Sequence, residues 1–162
     1  MRQAGRRGLE TRVPAGSTLV VDSSVVLAYL TGNEPASEDA RRLFDGFIAT
    51  GRNRASISTI TVGEILVRPF RQGSAAVAMA ESFLRHFGDI ALVDVTYSVA
   101  REAARIRAVC GLRMPDAVIV ASALEVDAEL LVTSDHSWRR LPADVLRDTQ
   151  ILELPVASRA RR

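Results

Sequence analysis

The chain has no lysine, one cysteine and two histidines, and each shortage excludes a class of site. A phosphoacceptor receiver domain needs a lysine beside its aspartates, so that class is excluded. The single thiol, Cys110, can form neither an intrachain disulfide nor a cysteine metal cluster. Neither His86 nor His136 has partners at the spacing of a catalytic triad. Carboxylates are therefore the side chains to examine for chemistry.

Long apolar runs are also missing. None approaches the roughly 20 residues that a membrane span requires, and the arginines near the amino terminus are not followed by the apolar stretch of a secretory signal. The sequence thus predicts a cytoplasmic protein with no membrane partner. Its 162 residues fit one domain, which at this length can bury about 70% of the surface of its unfolded chain.

The basic charge is concentrated in the two tails. All 21 basic residues are arginines, with four in residues 1–16 and three in residues 159–162. Residues 17–157 hold 14 arginines against 18 acids, a net charge of −4. We therefore predict a basic, disordered and dispensable extension at 1–16, one domain at 17–155 and a basic tail at 156–162. Charge alone does not predict a nucleic-acid-binding face on the folded body.

Short apolar runs alternate with helical patterns along the chain. The predicted strands cover residues 19–21, 55–58, 90–93, 130–133 and 151–154. The predicted helices cover 25–30, 36–49, a segment from Thr59 or Thr61 that Pro69 ends or kinks, 74–87, 96–109 and 116–125. This order predicts an α/β fold, a short parallel sheet of four to five strands between two layers of helices.

Four carboxylates occupy positions that suit a metal site. Asp22 closes the first apolar run, Glu64 lies in a helical segment, Asp116 opens a helix, and Asp135 follows the run 130–133. The carboxyl ends of parallel strands border the reactive crevice of such a sheet. Like charges about 4 Å apart repel by roughly 4 kcal/mol at an effective dielectric constant near 20, so a converging group implies a bound cation.

Each acid also has a structural interpretation. Asp22 could cap the first helix, Glu64 could be a solvated helix residue, Asp116 could oppose the positive end of a helix dipole, and Asp135 could form an Asx-turn. A dehalogenase-type phosphotransferase would want a second aspartate two residues after Asp22, where Ser24 stands.

The motifs resemble those of the PIN-domain ribonucleases, and most closely the VapC toxins of bacterial type II toxin–antitoxin systems. The resemblance covers residues 18–154 and rests on VVDSSVVLAYL at 20–30, Glu64, MPDA at 114–117 and VTSD at 132–135. It implies a PIN-like three-layer α/β/α sandwich and a Mg²⁺-dependent endoribonuclease that hydrolyses RNA phosphodiester bonds. A non-catalytic PIN-fold module that binds RNA or protein is the alternative.

Carried over by position, the resemblance assigns the metal and catalytic roles to Asp22, Glu64, Asp116 and Asp135. Supporting roles go to Ser23, the small hydroxyl residue after the first aspartate, and to Thr133, which is expected to order a carboxylate or a water. Oxygen ligands without a histidine or cysteine cluster favour Mg²⁺, for which Mn²⁺ could substitute.

Partners follow in part from the same resemblance, which implies an RNA substrate, a VapB-like antitoxin and a homodimer. Arg113, Arg139 and Arg140 flank the acids in sequence, so they are candidates for phosphate contact, with surface solvation as the alternative. The apolar faces of 25–30, 43–48 and 62–70 could form a groove for a partner helix, or could be buried in the core. Trp138 is expected to pack over the turn 137–141 rather than to stack on a base.

Overall fold

Five short parallel strands form one sheet in the computed structural model, which describes residues 8–88 and 90–154. The strands are β1 (Thr18–Val21), β2 (Arg54–Ser58), β3 (Ile90–Val93), β4 (Leu130–Thr133) and β5 (Gln150–Glu153). Their order across the sheet is β3-β2-β1-β4-β5, and every pairing is parallel. The predicted parallel sheet is confirmed, with β1 at its centre.

The helices connect these strands and cover both faces of the sheet. They are α1 (Ser23–Thr31), α2 (Ser37–Arg41), α3 (Thr59–Gln72), α4 (Ser74–His86), α5 (Tyr97–Cys110), α6 (Met114–Glu125) and α7 (Ala143–Leu146). A π-helical segment (Arg42–Ile48) continues α2, and a 3₁₀ helix (His136–Arg140) follows β4. The single helix predicted over 36–49 therefore widens to π geometry after its first turns.

Local sequence signals explain several helix ends. Gly32 (φ 71°) and Gly111 (φ 69°) lie in the left-handed conformation, and their amides donate to Ala28 O and Arg107 O, which closes α1 and α5. The helices predicted over 25–30 and 96–109 accordingly end next to these glycines. Pro69, in contrast, does not end α3, which continues to Gln72 and closes with an amide bond from Gly73 to Pro69 O.

Two apolar cores lie on opposite faces of the sheet. Leu19 and Val21 of β1 point into the core beneath α1 to α4, whereas Val20 points into the core beneath α5 and α6. This alternation is expected of a strand buried on both faces. Trp138 is 1% exposed and packs into the second core, as predicted. The predicted α/β/α sandwich is confirmed.

The expectation of a disordered extension at 1–16 is wrong for the part that the structure describes. Residues 8–12 are helical, and Leu9 and Val13 are buried in the first core. Glu10 forms an ion pair with Arg42 at 2.6 Å, and the guanidinium of Arg52 donates to Val13 O at 2.8 Å. The folded body thus begins by residue 8, because the core accepts two side chains from this segment. Residues 1–7 and 156–162 lie outside the described range.

Candidate active site

The candidate site lies where the strand order reverses, between β1 and β4. Chain connections lead from β1 to β2 on one side, and the later strands β4 and β5 are added on the other side. Asp22 directly follows β1, and its amide donates to Val132 O of β4 at 2.9 Å. Asp135 lies two residues beyond β4. Open parallel sheets bind ligands outside the carboxyl ends of the strands at such a switch point.

Asp22 is the most deeply buried of the four predicted acids, with 4% of its surface exposed. Its Oδ2 accepts hydrogen bonds from Ser24 Oγ at 2.6 Å and Thr133 Oγ1 at 2.8 Å, and its Oδ1 accepts one from Ser23 Oγ at 3.3 Å. Burial raises the pKa of Asp22, and the charge of Asp116 raises it further, while the hydroxyl hydrogen bonds act in the opposite direction.

Thr133 connects Asp22 to the segment that follows β4. Its hydroxyl donates to Asp22 and accepts the amide N–H of Asp135 at 3.0 Å. Ser24 forms a parallel connection, because its hydroxyl donates to Asp22 and accepts the amide of Ser134 at 3.1 Å. The hydroxyls of Thr133 and Ser24 therefore set the path of the chain that carries Asp135. The sequence predicted supporting roles for Thr133 and Ser23 but not for Ser24. The position of Ser24 two residues after Asp22 was the signal that could have identified it.

Asp135 is exposed at the mouth of this arrangement. Its Oδ1 accepts the amide N–H of Ser137 at 2.8 Å and caps the 3₁₀ helix. The Asx-turn considered for this residue is therefore present. Its Oδ2 makes no hydrogen bond that the structure records, so capping leaves one carboxylate oxygen for another partner.

Glu64 lies one turn into α3, which begins directly after β2. Its Oε2 is buried and has no hydrogen-bond partner among the described residues, and neither has the hydroxyl of Thr61 one turn earlier. An unpaired buried carboxylate oxygen costs free energy, since desolvation is not repaid by a bond. A cation or an ordered water would satisfy it.

Asp116 is held by an arginine. Arg113 Nε donates to Asp116 Oδ2 at 3.1 Å and Arg113 Nη2 to Oδ1 at 3.5 Å. Both residues lie at the start of α6, where Arg113 takes the N-cap position and Pro115 the first turn. A carboxylate in the first helical turn also opposes the helix dipole, as the structural interpretation of Asp116 expected.

The four acids share one electrostatic neighbourhood without forming a closed cage. The charge of Asp116 acts on Asp22, and the pKa of Arg113 is raised first by its hydrogen bond to Asp116 and then by the charges of Asp116, Glu64 and Asp135. Within residues 8–88 and 90–154, however, no three carboxylate, histidine or cysteine side chains stand close enough together to hold a metal ion as placed. Binding one would require the side chains to turn inward.

The arginines proposed for phosphate contact differ in their surroundings. Arg113 is bound to Asp116, and Arg139 Nε forms an ion pair with Glu153, the last residue of β5. His136 Nδ1 contacts the other carboxylate oxygen of Glu153. Arg140 is exposed at the end of the 3₁₀ helix. Glu153 was not singled out from the sequence, since nothing in a strand-terminal glutamate distinguishes it.

Comparisons with known proteins agree with the fold. A PIN domain family model matches residues 19–144, most of the chain. The sequence matches no curated protein.

Solved structures match the fold along nearly all of their own lengths. A toxin–antitoxin complex from Klebsiella pneumoniae is 17% identical, with a TM-score of 0.65 over 85% of this chain and 98% of that one. VapBC2 from Rickettsia felis, bound to a promoter DNA fragment, is 14% identical, with a TM-score of 0.62 over 85% and 99%. VapC20 from Mycobacterium tuberculosis, a sarcin-ricin loop cleaving toxin, is 18% identical, with a TM-score of 0.61 over 76% and 96%.

A parallel α/β/α sandwich with acidic residues at its switch point places this chain among the α/β proteins whose ligands bind at the carboxyl edge of the sheet. Within that class, this chain belongs to the PIN-domain family. No helix in the described ranges is long and apolar enough to cross a membrane.

Proposed function

We propose that this protein is the VapC-type toxin of a type II toxin–antitoxin system and acts as a Mg²⁺-dependent endoribonuclease. The main support for the proposal is the environment of Asp22. This carboxylate is buried beside the charge of Asp116, yet its bonding partners are hydroxyls, and no arginine or histidine of the described chain forms an ion pair with it. A buried carboxylate without an internal cation is suited to an external one.

The donor set fits Mg²⁺. Carboxylate and hydroxyl oxygens are hard ligands, and Mg²⁺ sites in proteins typically use one or two carboxylates together with waters. Asp22, Asp116 and the unpaired oxygen of Glu64 would hold the ion, with Asp135 reaching it from the 3₁₀ segment. When bound, Mg²⁺ supplies a Lewis acid that promotes attack of water on phosphate and neutralises the charge that develops there. Mn²⁺ could replace it.

The chain's own residues orient this chemistry. Thr133 and Ser24 fix the rotamer of Asp22 and at the same time hold the backbone of 134–135, so that two acids from different strands keep one relative position. Hydrogen bonds from fixed groups reduce the reorganisation required during reaction. Arg140, exposed at the end of the 3₁₀ helix that Asp135 caps, is the proposed contact to an RNA phosphate.

A VapB-like antitoxin is the proposed protein partner. A groove of about 280 Å³ runs between α1, α3 and α4, lined by Leu27, Leu30, Ile65, Pro69 and Met79 among others. An apolar helix face is the natural occupant of such a groove. Of the two alternatives considered for 43–48, burial in the core is the one found, because Leu43, Phe44, Phe47 and Ile48 are buried in the first core. The homodimer remains a prediction from the family resemblance.

A non-catalytic PIN-fold module that binds RNA or protein is the second candidate. It is favoured by the absence, among the residues described, of a preassembled group of three acids. The two candidates differ in what Asp22 does. An enzyme requires the charge of Asp22, whereas a binding module does not.

The test is cleavage of total cellular RNA by the purified protein with Mg²⁺, Mn²⁺ or EDTA, read by mapping 5′ ends. Asp22→Asn and Asp116→Asn are compared with wild type and with Asp148→Asn, the same change on an exposed residue just before β5. We expect discrete, metal-dependent cuts that the first two substitutions abolish and the third retains. Cuts that persist in Asp22→Asn, or no cuts by the folded wild type, would replace the nuclease with the binding module.

A further inference from the structure

Arg113 and Asp116 form an unequal ion pair. The contact is side-on, with Nε 3.1 Å from Oδ2 and Nη2 3.5 Å from Oδ1. The Arg113 side chain is 80% exposed, while that of Asp116 is only 15% exposed. The guanidinium therefore covers a carboxylate that is otherwise largely enclosed. Because the Arg113 side chain is itself exposed, it can move away from Asp116 into solvent.

The short connection between α5 and α6 fixes where Arg113 starts. Gly111 closes α5, and Arg107 Nη1 donates to Leu112 O at 3.0 Å, which holds the connection against α5. Arg113 then has extended backbone geometry (φ −63°, ψ 153°) at the N-cap of α6. The connection before Arg113 and the helix after it thus hold its backbone in place, whereas its long side chain can reach different partners at the edge of the site.

The acids around it supply those partners. Besides Asp116, the charges of Glu64 and Asp135 act on the guanidinium and raise the pKa of Arg113. Arg113 is therefore a permanent positive charge among acids that come from three separate parts of the chain. A divalent cation that bound the same acids would meet this charge and would compete with it for Asp116.

We propose that Arg113 is a built-in counter-ion of the acidic site, which holds Asp116 in the metal-free protein and is displaced from it when a divalent cation binds. The released guanidinium then faces the RNA phosphate. The inference rests on the proposed function, because it takes Asp116 to be a metal ligand. Arginine suits both positions, since its planar fork pairs with a carboxylate or with a phosphate in the same way.

The ordinary alternative is an ion pair that merely supports the start of α6. Residues three apart at a helix end often pair in this way. Such a pair would contribute to helix stability and would leave the affinity for metal unchanged. The two interpretations therefore differ in a quantity that can be measured without RNA.

The experiment measures Mn²⁺ binding to the full-length, RNA-free protein by electron paramagnetic resonance. The variants are Arg113→Gln, Arg113→Lys and, as a control with the same loss of charge, Arg101→Gln near the far end of α5. We expect Arg113→Gln to bind Mn²⁺ about two- to fivefold more tightly than wild type, the range open to an exposed ion pair. Arg101→Gln is expected to bind as wild type does, and melting curves verify that each variant is folded.

The lysine variant separates charge from contact. Lysine keeps the positive charge but lacks the fork that grips both oxygens of Asp116. Tighter Mn²⁺ binding by Arg113→Lys than by wild type supports displacement of a specific contact. Unchanged or weaker binding by Arg113→Gln overturns the proposal, as does an equal gain in Arg101→Gln.

RNA cleavage at saturating Mn²⁺ supplies the second half of the test. Arg113→Gln should have a kcat/KM about tenfold lower than wild type, mainly through a higher KM, because a phosphate contact has been removed. A kcat/KM equal to that of wild type overturns the phosphate role. If wild type cuts no RNA, the proposed nuclease function fails, but the Mn²⁺ titration still decides whether Arg113 competes with metal.

Discussion

Two carboxylates are buried at the same edge of this sheet, but their bonding partners differ. Asp22 follows β1 and is 4% exposed; Glu153 ends β5 and is 5% exposed. The first accepts bonds from hydroxyls, whereas the second contacts Arg139 and His136. In addition, Arg12 donates to the backbone carbonyl of Glu153, so the N-terminal segment closes over it.

The difference lies in where the compensating charge comes from. A buried charge needs a partner, because desolvation costs several kcal/mol per ion. Glu153 has a cation from its own chain, the guanidinium of Arg139, and so needs no external one. Asp22 has none among the described residues, and burial raises its pKa. Burial is thus nearly the same for these two carboxylates, and the source of the counter-charge is what differs between them.

The largest expected effect is on catalysis. Asp22→Asn should reduce metal-dependent RNA cleavage by at least about 10³-fold, since metal binding and the stabilisation of phosphate charge depend on this carboxylate. Glu153→Gln should stay within about tenfold of wild type, because its oxygens already have partners within the chain. Initial rates at saturating Mg²⁺ measure both. Equal losses in the two variants would remove the distinction between the carboxylates.

The second effect is on stability, and here Glu153→Gln rather than Asp22→Asn is the variant expected to lose. Glu153→Gln should lower the free energy of unfolding by about 1–2 kcal/mol, less than for a fully buried pair because Arg139 and His136 are largely exposed. Urea denaturation measures the change, with the exposed Glu34→Gln as a control near zero. A Glu153→Gln protein as stable as wild type would contradict a structural role for this ion cluster.

The third effect is a gain. Asp22→Asn removes a buried charge while keeping an oxygen that accepts the hydroxyls of Thr133 and Ser24. In EDTA it should therefore be more stable than wild type by about 1 kcal/mol, which corresponds to a melting temperature about 2–4 °C higher. Differential scanning calorimetry tests this directly. A melting temperature below that of wild type would mean that the hydroxyl network depends on the ionised form.

The smallest effect is the pH dependence of that gain. The pKa of Asp22 is raised above its ordinary value of 3.8, so folding favours the protonated form. Its contribution to stability is fully present below the unfolded pKa and is lost as the pH rises through the folded pKa. The stability difference between Asp22→Asn and wild type in EDTA should therefore widen as the pH is raised from about 4. A difference that is constant with pH would exclude Asp22 as its source.

Local patterns predicted the elements of the fold. Short runs of three or four residues separated by helical periods predicted the five strands and their parallel arrangement, because a parallel strand buried on both faces needs such a run. The same rule placed Asp22 and Asp135 at one edge, since Asp22 directly follows β1 and Asp135 lies two residues beyond β4. That much of the candidate site is a consequence of strand order.

Other features depended on contacts between distant residues. Arg139 was a candidate for phosphate contact, but it turns to Glu153, 14 positions away in sequence. Leu9 and Val13 looked like part of a basic tail, and they are buried because the first core has room for them. Long side chains and short apolar segments have several possible partners, and sequence spacing does not rank them.

The sequence by itself determined which residues form strands and helices, which acids come to the carboxyl edge, and that no lysine is available for chemistry. These properties follow from backbone hydrogen bonding and from burial of apolar side chains, which act over a few residues. Only the tertiary structure decided which carboxylate receives an internal cation. That choice depends on where Arg113 and Arg139 meet Asp116 and Glu153 in space, and on how deeply burial has removed Asp22 from water.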